Sequence, residues 1–204
     1  NANAISSPLT WGFPAITTIL GFTHALERKL NLFHRIDLKF KGVGIVCHRF
    51  TPQVFKPAKH FGYHTFRLTR NPLKRDEKAA SMNEEGRAHM EISLVIAAAG
   101  QLCTKSDSER EELARKIGDV VSELRLAGGS ILSTFSDYSR FQPELAQWPD
   151  LHEAQKKYSK LLLRKLLPGF ILITRPDLLK KRTQELQSIN PEANALDALL
   201  DYSR

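Results

Sequence analysis

Cysteine is scarce in this chain of 204 residues: Cys47 and Cys103 are the only two. Two thiols make no disulfide framework, so a reducing cytoplasm with Cys47 buried in a strand is the expectation. They have no CxxC spacing, and no His pair with a nearby Glu falls on a helical pattern, so no metal and no cofactor is expected. No apolar run approaches the ~20 residues of a membrane span, and the opening has no basic-then-apolar leader. The 42% hydrophobic and 25% charged fractions are those of an ordinary globular protein. The opening NANAISSPLT has the Asn, Ser and Pro chemistry of a loop, and the last ten residues stop inside a helical pattern. A fragment of a longer chain is the expectation.

Acid is the other shortage, and it is local. From Arg35 to Arg75 one acid, Asp37, stands against ten Lys and Arg, a surplus of nine in forty-one residues. The whole chain is +8, so the remainder reads as a neutral surface. Six of the seventeen aromatics share the stretch: Phe40, Phe50, Phe55, Phe61, Tyr63 and Phe66. Cations for phosphates and flat rings for bases are what an unpaired nucleic acid site requires. The same pattern also fits a charged hairpin whose rings face a core.

Periodicity orders the chain. Pro14 opens a helix of about residues 14–30, with Ile16, Ile19, Leu20, Thr23, Leu26 and Leu30 on one stripe. A strand follows over about Ile36–Phe50, where Gly42 and Gly44 mark a bulge or a close approach. The segment TPQVFKPAKHFG is expected to be a hairpin tip returning through a strand at about Tyr63–Thr69. A polar connector then leads to a strand at Arg87–Ala99, where Met90, Ile92, Leu94 and Ile96 alternate with polar residues. Ser106 with Glu109 is a capping box for a helix that Gly128–Gly129 ends, with Ile131–Leu132 a short strand after it. Leu151–Leu166 is amphipathic, Phe170–Thr174 reads as a buried strand, and Asp177 and Asn190 are candidate N-caps of two closing helices.

With one strand placed ahead of Asn1, the order is that of an α+β fold. Its core would be of the RNA-recognition-motif or ferredoxin-like kind over residues 1–134, with a basic β-hairpin inserted at about 36–70. Residues 135–204 would be a helix-and-strand extension packed on that core.

Catalytic chemistry is poorly marked. His48, His60 and His64 could serve acid–base cleavage of RNA, contact phosphate, or sit at strand edges. Gly128–Gly129–Ser130 could cradle a phosphate or simply cap a helix. The apolar stripe Leu161–Leu167 could be core or partner surface.

The strings NANAISSPLTWGFP, GVGIVCHRF, LTRNPLKRD, EEGRAHMEISL, RLAGGSI, RKLLPGF and LDALLD, in that order, resemble the second subunit of the type I-F CRISPR surveillance (Csy) complex. That resemblance implies an RNA-recognition-motif-like core with an inserted thumb hairpin. It implies a non-catalytic protein, since another subunit matures the guide. It implies a heterodimer with the complex's large subunit, holding the 5′ handle of the guide RNA (crRNA) beside a neighbouring backbone subunit. Target DNA would be met only indirectly, and no membrane is involved. The handle-binding candidates carried over are Asn1, Asn3, Ser6 and Ser7 as hydrogen-bonding groups, with Trp11 as a stacking or core ring. Arg49, Arg67, Arg70 and Arg75 are the cations, Asn71 the base reader, and Arg125 with Gly128, Gly129 and Ser130 the lining from the sheet side. An endoribonuclease of the same fold and a protein-interaction scaffold are the rival functions.

Overall fold

The computed structural model describes residues 1–7, 10–56, 64–69, 73–78, 83–100, 106–132 and 143–202. In chain order the elements are β1 (Ala2–Asn3), β2 (Ile5–Ser7), β3 (Thr10–Trp11), α1 (Ile16–His34), β4 (Leu38–Pro52), β5 (Val54–Phe55), β6 (Thr65–Thr69), β7 (Asn83–Glu85), β8 (Arg87–Gly100) and α2 (Asp107–Ser122). Then come β9 (Arg125–Leu126), β10 (Gly129–Ser130), α3 (His152–Leu166), β11 (Phe170–Ile171), α4 (Pro176–Ile189) and α5 (Ala195–Tyr202). The class is α+β, with antiparallel sheets.

Two long strands carry the molecule. β4 and β8 pair antiparallel from Leu38 opposite Gly100 to Pro52 opposite Ala88, and the sheet order is β1-β8-β4-β11. This corrects the expected hairpin. The return strand at residues 65–69 does not pair with β4; β6 lies between β5 and β7 in a separate three-stranded sheet. β8 wins because both strands present an apolar face to the same helices. Val43 and Ile45 of β4 sit opposite Ile96 and Leu94 of β8 in the register. β6 pairs instead with β5 and β7, so the arm runs from β5 to β7 rather than over 36–70.

The register shifts between Phe40 and Gly42, and again between Cys47 and Arg49. A bulge moves the following side chains to the other face. Phe40 and Val43 therefore both reach the core, which explains the change of face in the sequence pattern.

The core is α1 and α2 laid on one face of this sheet. Ile19, Phe22, Leu26 and Leu30 of α1 meet Leu38, Ile45, Val120 and Leu126, with Met90, Ile92, Leu94 and Ile96 packed against them. Phe22 belongs to the buried stripe, whereas Ile16 and Leu20, expected in it, are exposed. Asn31 pins the turn into β4: its Nδ2 donates to Leu38 O at 3.0 Å, and its Oδ1 accepts from Leu38 N at 2.9 Å. Ser106 and Glu109 form the expected capping box of α2.

Other expectations are corrected. The opening segment is not a loop. β1 takes the sheet edge beside β8, the place left for a strand ahead of Asn1, and β2 pairs with β3. α2 ends at Ser122 with Glu123 as its cap, so Gly128–Gly129 does not end the helix. These glycines lie in the β9–β10 turn, where Ala127 and Gly128 both have positive φ, 48° and 76°. Two successive left-handed residues are what a tight hairpin turn of matching twist requires. Ile131–Leu132 forms no strand. α4 is capped at Arg175 rather than Asp177, and Asn194 rather than Asn190 accepts from the first amides of α5.

The extension joins the core through β11. Phe170 lies opposite Cys47, Ile171 opposite Val46, and Leu172 N donates to Ile45 O at 3.0 Å. His48, in the second bulge, clamps this joint. Its Nδ1 donates to Pro168 O at 2.8 Å, and in the neutral ring its Nε2 accepts from Ser93 Oγ at 2.7 Å. His48→Ala removes both bonds and is expected to destabilise the joint by about 1–3 kcal/mol. Faster exchange of the Leu172 amide, with the α1 amides unchanged, is the expected readout; equal exchange at both sites would show the clamp to be idle. The strand expected to be buried is open instead: Phe170 is 82% exposed and Ile173 68%.

Candidate nucleic-acid interface

Helices cover one face of the β1-β8-β4-β11 sheet, and the residues between the core positions point the other way. On β8 these are Arg87, His89, Glu91 and Ser93. Asn3 stands opposite Arg87, Thr51 opposite His89 and Arg49 opposite Glu91. Arg49, Thr51, His89, Met90 and Glu91 line a shallow depression of about 290 Å³. Arg49 reaches Glu91 only at 3.9 Å, with most of its side chain in solvent. Such a pair contributes little and leaves the cation available to an anion.

Asn1 sits at the edge of this face. Gln53 Nε2 donates to Asn1 Oδ1 at 2.5 Å and to His89 Nε2 at 2.8 Å, which ties the start of the chain to β8. Arg87 is paired with Glu85, whose carboxylate holds the guanidinium pKa above its ordinary value. The β9–β10 hairpin closes the edge beyond β1: Asn3 N donates to Ala127 O at 2.8 Å. It sets Arg125 and Ser130, paired across the hairpin and both exposed, next to Asn1–Asn3.

The structure thus gathers Asn1, Asn3, Arg49, Arg125, Gly128, Gly129 and Ser130 around one end of the sheet. Asn3 Oδ1 already accepts from Ile5 N at 3.0 Å, leaving its amide nitrogen for a ligand. Ser6 and Ser7 are not free loop donors. They belong to β2, and both hydroxyls meet Thr10 Oγ1, at 2.6 and 2.7 Å. Trp11 is 43% exposed and stands edge-on to Phe66 of β6, ring centres 4.9 Å apart. Its ring therefore both packs and shows surface, and it joins β3 to the arm. Arg67 lies on β6 with its backbone opposite Glu85. Arg75 is exposed in a turn closed by Glu77 N donating to Lys74 O. Arg70 and Asn71 lie outside the described residues, as do His60 and Cys103.

Both ring nitrogens of His48 are bonded, whereas His89 is bonded through Nε2 alone and His64 is exposed just ahead of β6. No group of three or more His, Cys, Asp or Glu is gathered for a metal among the described residues. Cys47 is half-buried, and burial pushes its thiol pKa up. Among the described residues no helix is long and apolar enough to cross a membrane.

Gln53, Arg87 and His89 join the site although composition did not single them out for it. Only the β4–β8 register brings them together. A second basic block also escapes a reading of net charge alone. Lys156–Arg182 holds nine Lys and Arg against Asp177, a surplus of eight, which the acids elsewhere conceal. It surrounds the exposed row Phe170–Ile173.

A family model described as CRISPR-associated protein (Cas_Csy2) matches residues 1–204. The CRISPR-associated protein Csy2 of Pseudomonas aeruginosa (strain UCBPP-PA14) is 45% identical over 207 residues, which cover 100% of this chain and 61% of the relative. The chain therefore spans about three-fifths of the length of that curated relative.

Proposed function

The chain belongs to the Csy2 family of CRISPR-associated proteins, and on that premise we propose that it is a guide-RNA-holding subunit of a type I-F surveillance complex in antiviral defence. It binds the 5′ handle of the crRNA and does not cut it. The observation that carries this reading is the joining of two features. The sheet face away from α1 and α2 presents Arg49 and the amides of Asn1 and Gln53, with Arg125 on the hairpin beyond β1, and the chain runs from that face directly into the basic arm. Phosphates would meet the cations while unstacked bases lie on the sheet and are read at their edges.

The topology supports an RNA-recognition-motif-like core. Apart from the short pair β2–β3 and the arm β5–β7, the order is strand, helix, strand, strand, helix and hairpin, as β1, α1, β4, β8, α2 and β9–β10, with the hairpin bonded beside β1. On this reading residues 1–134 are the core, interrupted by the arm that acts as a thumb, and residues 135–204 are an extension. The large subunit of the complex is the proposed heterodimer partner and a backbone subunit the neighbour, in the cytoplasm, with target DNA met indirectly. The exposed apolar row within the second basic block supports docking of a protein on the extension, since large apolar surface left open marks interaction sites.

Labelled guide RNA titrated into the purified heterodimer tests the proposal. If about five Lys or Arg meet phosphate, log affinity against log salt has a slope of about −3.5, at ~0.7 per contact for single strands. The RNA is recovered whole. A slope near zero would remove the electrostatic basis. Cleavage that disappears in His89→Ala would favour the endoribonuclease, and an intact heterodimer that ignores RNA would favour the scaffold.

A further inference from the structure

Deepening the RNA-holding proposal, on which it rests, we infer that Asn1, Gln53 and His89 form a uracil-reading set on the uncovered sheet face. An amide nitrogen only donates, and Gln53 Nε2 has two hydrogens. One goes to Asn1 Oδ1 at 2.5 Å and the other to His89 Nε2 at 2.8 Å. His89 Nε2 is therefore an acceptor, and the ring proton of the neutral imidazole sits on Nδ1. Three groups remain for a ligand: the Asn1 amide N–H, the Gln53 carbonyl oxygen and the His89 Nδ1–H. In order they are donor, acceptor, donor.

Uracil offers the complement, with O2 accepting, N3–H donating and O4 accepting. Cytosine presents a donor and two acceptors, and guanine an acceptor and two donors, so each opposes like to like at one or more positions. Adenine has only a donor and an acceptor on that edge. A buried or base-covered mismatch leaves a polar group unpaired, which is where discrimination arises.

The three residues come from separate segments and are held before any ligand arrives. Gln53 N donates to Arg87 O at 2.8 Å, Thr51 faces His89 across the ladder, and Asn1 is followed at once by the β1–β8 pairing. Arg49 stands two residues along the same face, beside the depression it shares with His89, in reach of a flanking phosphate.

The test uses the full chain and three defined probes, the octaribonucleotides U8, C8 and A8, by competition against fluorescein-labelled U8. U8 is expected to compete about tenfold better than C8, the scale of one good edge contact. Gln53→Leu is expected to bring that ratio to about one, while Arg49→Ala weakens all three probes alike and keeps it. Equal competition by U8 and C8, with the steep salt dependence retained, would overturn the uracil set and leave the RNA-holding reading standing. A preference for A8 would mean that both amides are turned over, and would overturn it equally. No competition by any probe would overturn both readings together.

Discussion

Reversing Arg49 and Arg125 together to Glu is expected to weaken binding of single-stranded guide RNA by about 100-fold or more while the protein stays folded. A hydrogen bond to a charged group contributes about 1.5–3 kcal/mol, so two lost contacts amount to about 3–6 kcal/mol, and each 1.4 kcal/mol is tenfold. Reversal adds repulsion between carboxylate and phosphate. Little stability is at stake. Arg49 has only the 3.9 Å contact with Glu91, and Arg125 is exposed on a two-residue strand. Filter binding beside a thermal melt reads both effects. Undiminished RNA affinity in the double variant would remove this end of the sheet from the interface.

Gly129→Ala should lower both stability and RNA affinity, for a reason that has nothing to do with charge. A Cβ at position 129 would lie 2.8 Å from Ala2 N and 2.9 Å from the Asn1 carbonyl atoms. These are backbone atoms with no rotamer to change. Either β1 or the β9–β10 hairpin has to move, and the Asn3 to Ala127 bond lies between them. Overpacking of this kind costs about 1–3 kcal/mol. Because Asn1 and Asn3 lie at β1, RNA affinity is expected to fall with stability, whereas Gly128→Asn, in the left-handed turn position, is expected to leave the melting temperature nearly unchanged. A Gly129→Ala protein with wild-type melting and binding would show that β1 is not braced there.

The hairpin and His89 mark how far the sequence could be read. Alternation in 87–99 identified a half-buried strand, and it is one, because period-two patterning reports a one-sided environment from local residues alone. The same alternation cannot name the strand that lies beside it. Local pattern favours the next strand along the chain, at 65–69, as the partner of β4, which the register does not bear out. The actual choice was made by a row of apolar side chains that both β4 and β8 need to cover with α1. Once that pairing was misplaced, Gln53 fell in a supposed hairpin tip and His89 had no neighbour. Arg49, Arg125 and the Gly128–Ser130 turn, which lie near one end of the sheet, were proposed from matching strings rather than from any rule of spacing.

By itself the sequence determined the α+β class, the existence of α1, the capped start of α2, the local excess of positive charge and, through its strings, the family. These are properties of neighbours along the chain: capping needs three residues, amphipathicity about a dozen, and charge density a window. Tertiary structure alone decided which strands pair, which sheet face α1 and α2 leave open, that Asn1, Gln53 and His89 share two hydrogens, and that the apolar row inside the second basic block is exposed. Those facts depend on contacts between residues far apart in the chain, where the winning arrangement is the one that buries the most apolar surface while leaving every ladder hydrogen bond made.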